Sequence, residues 1–126
     1  MTIIYLNLEQ VCIINQELLG SKSGFNYKGG MEFVLANVQT LYDELEEKDA
    51  VIGKCAYLWY SIASNQYLTN GNKRTGYLVA EDFLRLNKLR LNITEDEKLF
   101  VSKAIANNIY TIDHIRHLIT KALKSD

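Results

Sequence analysis

Ala50-Val51-Ile52-Gly53-Lys54-Cys55-Ala56-Tyr57-Leu58-Trp59-Tyr60-Ser61-Ile62-Ala63 is apolar on nearly every side of a helical wheel, which marks it as a helix buried at the centre of a bundle. The small residues Gly53, Ala56 and Ala63 within it let neighbouring helices approach closely. Working outward, apolar residues recur at helical spacing almost everywhere. Asn7-Leu8-Glu9-Gln10 has capping-box spacing and opens a helix over 8–19, with Leu8, Val11, Cys12, Ile14 and Leu18 as its apolar stripe. The glycine- and serine-bearing stretch from Gly20 to Gly30 reads as a loop, followed by helices over 31–47 and 49–65. A polar loop from Gln66 to Gly71 leads into a fourth helix that starts near Asn72 and turns Tyr77, Leu78, Ala80, Phe83 and Leu84 inward. Thr94-Glu95-Asp96-Glu97 is a second capping box, for a helix to Asn107, and Thr111 caps a last helix to Lys124. The stretch Leu89 to Ile93 has extended character, but a lone strand has nothing to pair with here. The expected fold is all-α: a compact single-domain bundle of about six helices over residues 1–126, with a buried central helix.

At 126 residues and 48% hydrophobic content, one core suffices. Lys plus Arg number 14 against 15 for Asp plus Glu, so no global field draws the chain onto nucleic acid or an anionic membrane, and direct nucleic-acid binding is not expected. The two cysteines, Cys12 and Cys55, sit in apolar helical patterns as small hydrophobes, which fits a reducing compartment. No apolar run approaches the roughly 18 residues a bilayer span requires, and Met1 to Tyr5 lack a basic targeting region, so a cytoplasmic protein is expected.

Chemistry concentrates in Gln66-Tyr67-Leu68-Thr69-Asn70-Gly71-Asn72-Lys73-Arg74-Thr75-Gly76, a polar loop running straight into a helix. A helix N-terminus offers unpaired N–H groups and partial positive charge, which favours phosphate. Lys73 and Arg74 stand at the end of the helix where the dipole disfavours cations, a placement that makes sense if an anion lies between them. Asn70 and Asn72 add neutral groups able to orient phosphate oxygens or help hold a hydrated Mg²⁺. The competing reading is an Asn-Gly turn with Asn72 as N-cap and two solvated cations, and spacing alone favours it. A P-loop is excluded, because its Gly and Lys-Ser/Thr steps are missing.

The segment resembles the signature of the Fic/Doc family, His-x-Phe-x-[Asp/Asn]-x-Asn-[Lys/Gly]-Arg, and its Asn72-Lys73-Arg74 ending is similar to the Doc branch, the death-on-curing toxins. The helix from Ala56 to Asn65 and the helix from Lys73 to Asn87 resemble those that flank the family motif. This resemblance implies a toxin of a toxin–antitoxin module that transfers phosphate from ATP or another nucleoside triphosphate, with Mg²⁺, to a protein hydroxyl. It further implies translation elongation factor Tu as target and a Phd-like antitoxin whose C-terminal helix lies in a groove of the bundle. Lys73 and Arg74 would hold the nucleotide phosphates, with Gly71 in the binding loop; Asn72 would orient them, and Asn70 would assist the metal. Adenylyl transfer of the Fic kind and a catalytically silent binding module are the alternatives.

Two positions depart from the pattern. Leu68 replaces the family's Phe, a mild change in an apolar anchor. Gln66 replaces the His that accepts the proton of the attacking hydroxyl, and a carboxamide has no usable pKa near neutrality, so it cannot take that proton. Gln66 is read as a substitution that disarms a toxin, as a natural weakened form, or as a sign that the base sits elsewhere; the last is disfavoured by a loop without a carboxylate. His114 and His117, spaced i, i+3 on the last helix, suggest no third metal ligand and read as surface residues. The aromatics Tyr57, Trp59, Tyr60 and Tyr77 read as packing residues, and Asp43-Glu44-Leu45-Glu46-Glu47 as a solvated helix end that could guide a basic partner segment.

Overall fold

The computed structural model describes residues 2–125. Among them six α-helices run in chain order: α1 (Leu8–Leu19), α2 (Lys28–Asn37), α3 (Glu47–Ser64), α4 (Asn72–Leu86), α5 (Glu95–Ala106) and α6 (Ile112–Ala122). The capping boxes read at Asn7 and Thr94 form, and the cap read at Thr111 closes into a third box, each with the cap side chain accepting the N–H three residues on. At the third, the reciprocal acceptor is the Nδ1 of His114, which occupies that ring nitrogen with the Thr111 N–H.

The segment from Ala50 to Ala63 is the buried axis. Cys55, Ala56, Trp59 and Ile62 on α3 are fully enclosed, and α4, α5 and α6 pack around them with Phe83, Leu84, Ile105, Ile115 and Ile119. Each large apolar side chain enclosed in this way contributes about 1.5–3 kcal/mol. Gly76 on α4 meets α3 at Ala63, where an added Cβ would stand 3.3 Å from the Ala63 nitrogen, so the two helices that flank the loop are held at close range. Cys55 behaves as a hydrophobe: burial, and secondarily the Glu81 charge, push its thiol pKa up, so it stays protonated.

Two parts of the expected fold are corrected. The helix read over 31–47 starts earlier, at Lys28 within the expected loop, and stops at Asn37, and residues 38–44 form turns instead. The cause is Lys54, whose side chain is completely buried on α3. Its ammonium donates to the Val38 carbonyl at 3.0 Å, the Gln39 carbonyl at 3.2 Å and Asp43 Oδ1 at 2.8 Å, with the Tyr5 ring 5.3 Å away. A buried charge needs such partners, and carbonyls inside a continuing helix would already be engaged. Unwinding the chain after α2 frees them. Tyr42 turns the chain with φ of 64° and lays its ring over Gly53, where any Cβ would clash. Asp43 is solvent-exposed as expected but lies in a turn, not at a helix end, and it serves as the counter-charge of Lys54.

The second correction concerns the extended stretch after α4. Leu89–Leu91 forms a strand, β1, and it does have a partner: Leu123–Ser125, β2, pairs with it antiparallel, Leu91 opposite Leu123. The last helix accordingly ends at Ala122, short of Lys124. No helix among the described residues is long and apolar enough to cross a membrane.

Candidate functional site

The loop between α3 and α4 is held by its neighbours from both sides. Leu68, fully buried, anchors it from within, and Asn72 closes it: Asn72 Nδ2 donates to the Leu68 carbonyl at 3.0 Å and its Oδ1 accepts the Leu68 N–H at 3.0 Å. The same amide group donates to Gln66 Oε1 at 3.3 Å. Asn72 is thus committed to loop geometry, and it is the first residue of α4, not the cap. The cap position belongs to Gly71, with φ of 72°, the left-handed region, and a Cβ there would stand 2.7 Å from Leu19 Cδ1. No side chain caps the helix, so its first-turn N–H groups are left without a side-chain acceptor. On the outer side, residues 24–27 run beside the loop, with Thr69 N–H donating to the Gly24 carbonyl at 2.9 Å and Asn26 N–H to the Tyr67 carbonyl at 2.8 Å.

Gln66, Asn70, Gly71, Asn72, Lys73 and Arg74 all line one open cavity of about 500 Å³, together with Leu18 and Leu19 from α1 and Leu99 and Lys103 from α5. The volume lies in the roughly 300–1,000 Å³ range of small-molecule sites. Its walls divide into an apolar part, the three leucines, and a cationic part, and they carry no carboxylate and no imidazole. Lys73 and Arg74 are exposed, and among the described residues neither has an ion-pair partner. Asn70 donates through Nδ2 to the Lys22 carbonyl at 3.1 Å, which leaves its Oδ1 as an available oxygen donor. Tyr67 offers no substitute base, because burial, then the neighbouring Tyr57 and Tyr27, push its phenol pKa further up from neutrality. His114 and His117 are exposed on α6 and do not line this cavity.

Three contributors escaped the sequence reading. Asn15, on the buried side of α1 where an apolar stripe was expected, is 1% exposed; its Nδ2 donates to the Asn70 carbonyl and to Thr75 Oγ1, and its Oδ1 accepts the Gly24 N–H. Leu8, Cys12, Ile14 and Leu18 beside it are only half-buried. Ser102 accepts from Trp59 Nε1 at 2.8 Å and donates to the Lys73 carbonyl at 2.8 Å, so it ties α5 to the first turn of α4. Lys103 follows it. None of the three has a local signal, since each acts on a partner distant in sequence. Asn15→Ala is expected to lower stability by about 1–3 kcal/mol, as one buried and two part-buried groups lose their partner, and denaturant unfolding checks this.

A second groove, of about 330 Å³, runs between α1 and α4 and includes Leu6, Ile13, Ile14 and Leu86. Its one cation, Arg85, is already paired with Asp82 at 2.7 Å, so anion chemistry belongs to the first cavity.

The match to known families covers this same architecture. The family model described as Fic/DOC family matches residues 5–84, more than half of the chain, from just before α1 to near the end of α4 and including the whole loop. The chain belongs to the Fic/DOC family. Proteins of the Fic/DOC family generally transfer a nucleotide or a phosphate to other proteins, so the chain is a Fic-type enzyme or toxin in general terms. A search of curated proteins found no match.

Proposed function

We propose that this chain is a Doc-like toxin of a toxin–antitoxin pair, acting in the cytoplasm, whose cavity seats a nucleoside triphosphate for phosphate transfer to a protein hydroxyl. The observation that carries the reading is the pair Lys73 and Arg74, which among the described residues stand unpaired beside the uncapped N-terminus of α4 in a cavity lined by no acidic residue. Phosphoryl transfer depends mainly on positioning and on neutralising the phosphoryl oxygens, which a cationic loop on a rigid helix supplies. The leucine-lined part of the cavity suits the nucleotide's base.

The donor set fits a Mg²⁺ ion brought in with the phosphates, with Asn70 Oδ1 as its protein oxygen; bound there, the ion would neutralise phosphate charge. A single neutral oxygen does not make a metal site by itself. Gln66 holds its place through Asn72 but cannot accept a proton, so this form binds substrate and transfers slowly or not at all. The proposed target is elongation factor Tu, and the proposed inhibitor is a Phd-like antitoxin, for whose helix the apolar groove between α1 and α4 is the supporting feature.

The deciding experiment incubates the Gln66→His chain with elongation factor Tu, Mg²⁺ and ATP labelled on either the α- or the γ-phosphate. Label from the γ-position alone is expected on the target. Label from the α-position would replace phosphoryl by adenylyl transfer, and no label from either, despite ATP binding, would leave a silent binding module.

A further inference from the structure

The cavity has a cation that the motif does not supply. Lys103 lies on α5, beyond the residues that the family model matches, yet it lines the same cavity as Lys73 and Arg74. We propose that Lys103 is a third phosphate-binding residue, completing from α5 a cationic wall that holds the polyphosphate chain of the nucleotide. The proposal rests on the reading of the cavity as a nucleotide site and adds a binding group to it.

Lys103 is held at the cavity by how α5 is fastened to α4. The buried Ser102, its immediate neighbour, donates to the carbonyl of Lys73 itself and accepts from the indole of Trp59, so the α5 backbone is fixed to the turn that carries the first cation. Two further ties lie towards the start of α5: Tyr77 donates its hydroxyl to Glu95 at 3.1 Å, and Lys98 pairs with Glu81. Burial first, and the hydrogen bond to Glu95 next, push the Tyr77 pKa up, so the phenol stays a donor in that tie. With the helix so fixed, Leu99 and Lys103, spaced i, i+4 and therefore on one face, both reach the cavity.

Charge supports the assignment. Lys98, on the same helix, is neutralised by Glu81, whereas Lys103 has no ion-pair partner among the described residues. Among the described residues, three unpaired cations then share a lining without a single carboxylate. Such clustering is repulsive unless an anion of several charges occupies the space, and a triphosphate has that charge. The leucine one turn before Lys103 lies on the apolar part of the wall, so this face of α5 offers one contact to the base side and one to the phosphates.

The test is calorimetric titration of the full chain with ATP and with AMP, each with Mg²⁺, comparing Lys103→Glu, Lys103→Arg and, as a control for overall charge, Lys121→Glu on the exposed surface of α6. Lys103→Glu is expected to weaken ATP binding about tenfold or more, with a smaller effect on AMP. Lys103→Arg should retain most of the affinity, and Lys121→Glu should behave as the unaltered chain. Because Lys103 is exposed, melting temperatures should stay together, which separates a contact from a folding defect. ATP binding unchanged by Lys103→Glu, but lost when Lys73 and Arg74 are replaced, would overturn this proposal and leave the nucleotide reading intact. No ATP binding by the unaltered chain would overturn both.

Discussion

Replacing Gln66 by His is expected to raise the rate of label transfer to the target protein by about 10²- to 10⁴-fold, the usual contribution of a positioned general base. Position 66 faces the cavity that Asn72, Lys73 and Arg74 line, so an imidazole there can present its unprotonated nitrogen to an incoming hydroxyl, with its N–H nitrogen turned away from the Asn72 amide that now donates to Gln66 Oε1. Nothing in the cavity competes, since its lining has no carboxylate or imidazole. The sign of the pH response follows: the imidazole works in its neutral form, so the gained rate should rise with pH through about 6.5 and then level off. A Gln66→His chain that binds ATP but shows no more transfer than the unaltered chain, at any pH in that window, would sink the proposed base position.

The second large effect is on binding. Reversing both charges, Lys73→Glu with Arg74→Glu, removes two charge-assisted contacts to phosphate and should weaken ATP binding by about 10²- to 10⁴-fold, as read by calorimetry. Stability should move the other way. Both side chains are exposed and unpaired among the described residues, and acidic residues in the first turn of a helix are favourable by about 0.3–1 kcal/mol each. A variant that melts no lower than the parent yet loses the nucleotide identifies the cations as a site kept at some cost to the helix. Undiminished ATP affinity would place the phosphates elsewhere.

Much of the fold was legible because it is written locally. The capping boxes at Asn7 and Thr94, the cap at Thr111 and the all-round apolar segment of α3 lie within a few residues of what they specify, and they form where the spacing puts them. The errors arose where a distant partner decides. The helix periodicity carried past Asn37 gives no hint that Lys54, eleven residues beyond Asp43, will be buried and will take two carbonyls out of the chain there. The strand after α4 lacked a partner only because Leu123–Ser125 read as the end of a helix.

The loop followed the same division. Its cations and its glycine were readable, and the structure brings all six residues singled out there to one cavity. Asn72, singled out as a group to orient phosphate, has a second task as the clasp of the loop that was not legible, because its two bonds to Leu68 appear only once the turn is closed. Asn15 was hidden by its own helix, where a polar residue amid an apolar stripe looks like an interruption until its three partners are seen.

The chain contains a single tryptophan, and its indole is two hydrogen bonds from the Lys73 carbonyl by way of Ser102. Nature has thus wired an intrinsic fluorophore to the rim where a nucleotide would seat. Excited at the long-wavelength edge of its absorption, beyond that of the eight tyrosines, its emission offers a way to follow events at that rim in real time without a dye or a tag.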